Sequence, residues 1–80
     1  MKTNIILTFS KVITRIRKAK GLSQESLAEK ANLDRTYISG VERGIRNITL
    51  KSLDKIIYAL DISQVDFFKE VIIEINIQKK

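Results

Sequence analysis

An 80-residue chain with no proline, cysteine or histidine has room for one small domain and lacks the ligands of a zinc finger, a disulfide scaffold or a thiol enzyme. Its formal charge of +6 is one-sided, because residues 1–46 carry ten Lys and Arg against four acids while residues 47–80 carry five against five. By itself such an excess is reasonably read as a soluble basic surface; it favours nucleic acid only in combination with the helices that carry it. No apolar run approaches the roughly 20 residues that cross a bilayer, and Met1 to Phe9 lacks the pattern of a signal peptide, so a cytoplasmic protein is expected. The missing cysteines fit a reducing compartment.

In chain order, Met1 to Leu7 reads as an irregular arm with Ile5, Ile6 and Leu7 partly tucked against the body. Thr8 or Ser10 is expected to cap a first helix through Lys20, stopped by Gly21. Phe9, Val12, Ile13 and Ile16 share one face of it, and Lys11, Arg15, Lys18 and Lys20 lie outside. That basic cluster suits phosphate or plain solvent equally.

The stretch Ser23 to Gly44 reads as two short helices and a tight corner. Ser23 can cap the first, whose narrow apolar stripe is Leu27, Ala28 and Ala31. Asn32 tolerates the left-handed backbone that turns a chain sharply, and Asp34 stands as the next cap. The second helix then runs from Arg35 until Gly44 stops it. At about 100° per residue, Ile38 and Val41 point one way, and Arg35, Thr36, Ser39 and Arg43 another. Small alanines where the helices cross, and an open polar face on the second, suit a helix-turn-helix with its second helix in the major groove of DNA.

A loop of Ile45, Arg46, Asn47 and Ile48 leads to Thr49 as a third cap. Leu50, Leu53, Ile56, Ile57 and Leu60 then mark a helix by their spacing, Asp61-Ile62 turns, and Ser63 caps a last helix with Val65, Phe67, Phe68, Val71 and Ile72. A hydrophobic staple recurs at Leu7 and Val12, Leu22 and Leu27, Leu33 and Ile38, Ile48 and Leu53, and Ile62 and Phe67. Ile73, Ile75 and Ile77 alternate like a strand, but a lone terminal strand has no partner in the chain, so the reading is a helix to about Ile75 and a frayed basic tail. Eighty residues bury few large side chains, so part of the apolar set at 62–77 is assigned to a second copy: Phe67, Phe68, Val71, Ile72 and Ile75. The alternative is that these residues finish the core of one chain.

The segment S-Q-E-S-L-A-E-K-A-N-L followed by S-G-V-E-R-G resembles the lambda-repressor-like helix-turn-helix family. The runs L-D-R-T-Y-I-S-G-V-E-R and R-N-I-T-L-K-S-L, with a Phe-Phe pair in the last helix, look more specifically like the controller proteins of restriction-modification systems. The resemblance covers about Ser10 to Glu70. It implies an all-α, five-helix DNA-binding domain filling residues 1–80, with its helix-turn-helix at about 23–44. It further implies a homodimer on palindromic operators that regulates its own gene and a nuclease gene, both activating and repressing.

Under that reading Arg35, Thr36 and Ser39 are the base-reading candidates: an arginine fork matches O6 and N7 of guanine, and a threonine methyl matches thymine. Backbone contacts are assigned to Gln24, which binds phosphate in the resembled family and opens a helix whose free N–H groups favour anions, and to Tyr37, Arg43, Arg46, Asn47 and Thr49. For Tyr37 a half-buried core position is an equal alternative. The resemblance also implies that Arg17 and Glu42 pair, a structural role that ties the first helix to the recognition helix.

Palindromic duplex DNA and a second copy of the chain are the expected partners, with RNA polymerase a further candidate. No membrane, small-molecule ligand, metal or cofactor is expected. An antitoxin whose last helix masks a toxin, or a phage-type repressor, are the alternatives in kind. An enzyme is disfavoured by the lack of any metal-ligand cluster, nucleophile and base pair, or Gly-rich phosphate loop.

Overall fold

In the computed structural model, which describes residues 4–79, five helices follow one another: α1 Ile5–Ala19, α2 Gln24–Ala31, α3 Arg35–Glu42, α4 Leu50–Ala59 and α5 Gln64–Gln78. No strand occurs among the described residues. Helix α1 packs on α3 and α5, and α2 packs on α3 and α4. Val12, Ile13, Leu27, Ile38, Ile56, Leu60 and Phe67 are sealed from solvent where they meet.

Three of the expected caps are made. The hydroxyls of Ser23, Thr49 and Ser63 accept from the backbone N–H of Ser26, Ser52 and Asp66 at 2.9, 3.0 and 3.0 Å. Asn32 is left-handed at φ 55° and Gly44 at φ 74°, so the corner and the end of the recognition helix fall where the residue types place them. Asp34 stands at the N-cap of α3 but makes no side-chain cap bond, which corrects its expected role. Leu22, Leu33, Ile48 and Ile62 lie half-buried against the core, each five residues before a buried Leu27, Ile38, Leu53 or Phe67, as four of the five staples require.

The start of the chain departs from expectation. Residues 5–7 are helical rather than an irregular arm, because the Asn4 side chain accepts from the N–H of Ile6 and Leu7 at 3.0 and 3.2 Å and so begins α1 a turn early. Met1 to Thr3 of the expected arm lie outside the described residues. Thr8 and Ser10 therefore cap nothing and are buried. The single hydroxyl proton of Thr8 is shared between the carbonyl of Asn4 at 2.9 Å and Oε1 of Gln78 at 3.2 Å, and that of Ser10 between the carbonyls of Ile6 and Val41. With Leu7 inside the helix and exposed, the Leu7 and Val12 staple is absent.

The end of the chain is helical through Gln78, three residues beyond the expected Ile75, and Lys80 of the expected frayed tail lies outside the described residues. The alternating isoleucines do not mark a strand, because the last turns of α5 dock on α1 through polar groups at a different period. Glu74, nearly buried, accepts from Arg15 Nη1 at 2.8 Å and from Gln78 Nε2 at 3.2 Å, and Glu70 reaches Arg15 Nη2 at 3.3 Å. Those two carboxylates raise the Arg15 guanidinium above its ordinary value, and the Arg15 hydrogen bond, helped by Gln78, holds the Glu74 carboxyl below its own. Ile73 and Ile77 are left in solvent.

Candidate nucleic-acid interface

Helix α3 is only eight residues long, yet it is fastened on three sides. Ile38 and Val41 are buried in the core on one flank, and Ser10 donates to the Val41 carbonyl from α1. Near its C-terminus Glu42 accepts two bonds from Arg17, Nε at 2.7 Å and Nη2 at 2.9 Å, with side chains 10% and 5% exposed. Arg17 spends its remaining Nη1 on the Leu22 carbonyl at 2.8 Å, so one guanidinium joins α1, the entry to α2 and α3. This is the pairing that the resemblance implies, and its near burial makes it a strut rather than a surface ion pair.

Gln24 joins the same group, its Nε2 donating to Oε1 of Glu42 at 2.9 Å. Its amide is therefore already oriented by the strut, at the first turn of α2 where the backbone N–H groups face outward. The Gln24 site and the Arg35 side chain border one open concavity with Ser23 and Glu25.

On the outward flank of α3, Arg35 and Thr36 are exposed and Ser39 is half-exposed, a continuous polar face with no partner from the core. Arg43 is exposed but turned back, its Nε donating to the Ser39 carbonyl at 3.4 Å. Tyr37 is half-buried, packs against the core and reaches the Asn47 carbonyl with its hydroxyl at 3.3 Å. The half-buried core position weighed for that tyrosine is the one the fold shows. Arg46 lies over the Tyr37 ring, 5.7 Å from its centroid. The hydroxyl of Thr49 is engaged by the α4 cap, accepting from Ser52 N and donating to Ser52 Oγ at 3.0 Å. What Thr49 presents outward is accordingly the end of α4 more than its own side chain.

The five residues assigned to a second copy divide. Phe67 and Val71 are buried within the protomer, which corrects their assignment: Phe67 packs tilted against Phe9 and edge-on against Phe68, at centroid distances of 5.9 and 5.5 Å. Phe68 and Ile72 remain exposed and Ile75 half-buried. Sequence reasoning missed their neighbours. Leu50, one of the residues whose spacing marks α4, is 85% exposed and lines a groove with Leu53, Ile57 and Phe68; a second groove joins Leu50 to Ile5, Ile6 and Phe9. Spacing could not reveal this, because Leu50 falls in register with the buried stripe but sits in the first turn, beyond the reach of the core.

The helix-turn-helix family profile matches residues 13–67. The chain is 45% identical over 67 residues to the control protein C.BamHI of Bacillus amyloliquefaciens, covering 82% of this chain and 83% of that one. It is 41% identical over 69 residues to the control protein C.MunI of a Mycoplasma species, covering 85% and 93%. Among solved structures, the wild-type restriction-modification controller protein C.Esp1396I superposes with a TM-score of 0.89 at 51% identity, over 92% of this chain and 97% of that one. The same protein, solved as a tetramer on its natural 35-base-pair operator, superposes at 0.88 over the same shares of both chains. An anchored α3 with a free polar face, two control proteins similar over most of their length and a shared five-helix fold lead to one conclusion: this chain belongs to the helix-turn-helix family, among its restriction-modification controller proteins.

Proposed function

We propose that this chain is a cytoplasmic, sequence-specific regulator of transcription that binds palindromic operators as a dimer and controls restriction-modification genes, its own included, by activation and repression. The observation that carries the reading is the open face of Arg35, Thr36 and Ser39 on a helix that the Arg17–Glu42 strut holds rigid. In this reading Arg35 reads a guanine, Thr36 and Ser39 contact neighbouring base edges, and Gln24, Tyr37, Arg43, Arg46, Asn47 and the Thr49 end of α4 hold phosphates on either side. The grooves around Leu50, Phe68 and Ile72 are assigned to the second copy, because a two-fold axis there lets two α3 helices read two half-sites. The DNA-binding reading needs no catalytic group.

Footprinting of the purified chain on DNA upstream of its own gene tests this. The expected result is two protected half-sites related by a dyad, with centres about 34–36 Å apart. A chain that protects nothing at low salt overturns the reading.

A further inference from the structure

We infer that Gly40 is a positioning residue for Arg46: the missing side chain on α3 is the seat over which the arginine stem lies, so that its guanidinium is held ready for a phosphate. The inference rests on the proposed phosphate role of Arg46.

Gly40 lies in the last turn of the eight-residue α3, still within a helix, where glycine is the least favoured residue after proline. It has no left-handed backbone to explain it. What it has is a neighbour. A Cβ added at Gly40 would collide with Cγ of Arg46 and press on its Cβ and Cδ at 3.4 and 3.5 Å, and these are the three nearest atoms it would meet. No atom of the hydrophobic core is among them. What the buried glycine makes room for first is the Arg46 side chain, near the root of that chain where it has little freedom to swing aside.

The surroundings converge on the same residue. The Gly40 carbonyl accepts from the backbone N–H of Ile45 at 3.0 Å and of Arg46 at 3.2 Å, which draws the loop back onto α3. One turn earlier, Tyr37 offers its ring to the Arg46 guanidinium and its hydroxyl to the Asn47 carbonyl. Tyr37 and Gly40, three residues apart, share a face of α3, so the ring and the gap form one cradle. A long flexible arginine loses rotamer freedom on binding, and a cradle that orders it beforehand removes part of that cost. Arg46 is exposed, as a phosphate contact requires.

The test compares Gly40→Ala, Arg46→Ala and the double variant on an operator duplex and a random duplex across a salt series, with thermal melting of each protein. The expected result for Gly40→Ala is a lowered melting temperature, because the added Cβ must push aside the root of the Arg46 side chain, with weaker binding to both duplexes; Arg46→Ala removes the colliding Cγ, so in the double variant most of that fall should disappear. The slope of log affinity against log salt should shrink by about one per half-site. Arg46→Ala should give the same slope, and the double variant should bind no worse than Arg46→Ala alone. In NMR spectra the Arg46 side-chain resonances, shifted by the Tyr37 ring in the parent, should return toward free values in Gly40→Ala.

An undiminished slope for Gly40→Ala, additive losses in the double variant, or unmoved Arg46 resonances would each overturn the inference. A fall in melting temperature that persists undiminished when Arg46 is also replaced by alanine would overturn it too, by making the glycine a packing requirement of the core. If Arg46→Ala itself leaves the slope unchanged, the phosphate role fails and the inference with it, while operator protection by the parent still decides the regulator reading separately.

Discussion

Arg17 of α1 and Glu42 of α3 meet through two bonds of 2.7 and 2.9 Å almost out of solvent, and Gln24 of α2 completes the group through Glu42. Three helices are thus locked around the base of the recognition helix by one ion pair. Removing one partner strands the other charge. Glu42→Gln or Arg17→Met should lower stability by about 3–5 kcal/mol, whereas replacing both with apolar residues should cost much less. Urea unfolding of the single and double variants checks this. The double variant should then show weaker operator binding out of proportion to its stability, since packing alone does not set the orientation of α3.

Arg35 is exposed at the first turn of α3, and its effect should be on selectivity. Arg35→Ala is expected to lose about 1–3 kcal/mol at one base position in each half-site and little on random DNA. Titrations against single-position operator variants show which base loses its preference. Equal losses on operator and random duplexes would reassign Arg35 to the backbone.

Leu50 is the most exposed large apolar residue of the fold, and it stands beside Phe68 in the groove assigned to a second copy. Neither side chain is sealed in the protomer core, so Leu50→Glu or Phe68→Glu should disturb association more than folding. Sedimentation equilibrium should show monomer at concentrations where the parent is dimeric, with the helical circular dichroism retained. A variant as dimeric as the parent moves the interface elsewhere.

Glu74 couples the end of α5 to Arg15, and its carboxyl is held below the ordinary value of 4.5 chiefly by the Arg15 hydrogen bond. A depressed carboxylate contributes stability that is present above its unfolded value and lost as pH falls through the folded one. Stability from this site should therefore be level from neutral pH down to about that unfolded value and decline below it. Glu74→Gln should remove that part of the acid dependence. At neutral pH it should cost about 1 kcal/mol, kept modest because Arg15 is half in solvent. Melting at matched protein concentration across pH measures both effects.

The polar positions that cap and turn this chain were legible because their chemistry is local. Ser23, Thr49 and Ser63 each satisfy an N–H three residues away, and Asn32 and Gly44 need nothing but their own backbone freedom. Those signals, with helical spacing, were enough to place α2, α3 and α4 and to turn Arg35, Thr36 and Ser39 to one side. The cap at Asn4 was not legible because Thr8 and Ser10 offer equally suitable hydroxyls just beyond it; in the fold these are spent on the Asn4 and Ile6 carbonyls one turn back and on Gln78 and the Val41 carbonyl far along the chain.

By itself, then, the order of residues determined α2, α3 and α4, the corners between them and the solvent-facing flank of α3, since each depends on interactions spanning a few residues. Tertiary structure alone decided which apolar residues finish the protomer and which stay open, because Phe67 and Phe68 differ only in the side of α5 that meets α1. It also decided that Glu74, a charged residue among isoleucines, is buried, and that Gly40 lies under Arg46. Both depend on groups brought together by the packing of α5 on α1 and the return of the loop onto α3, which no local spacing encodes.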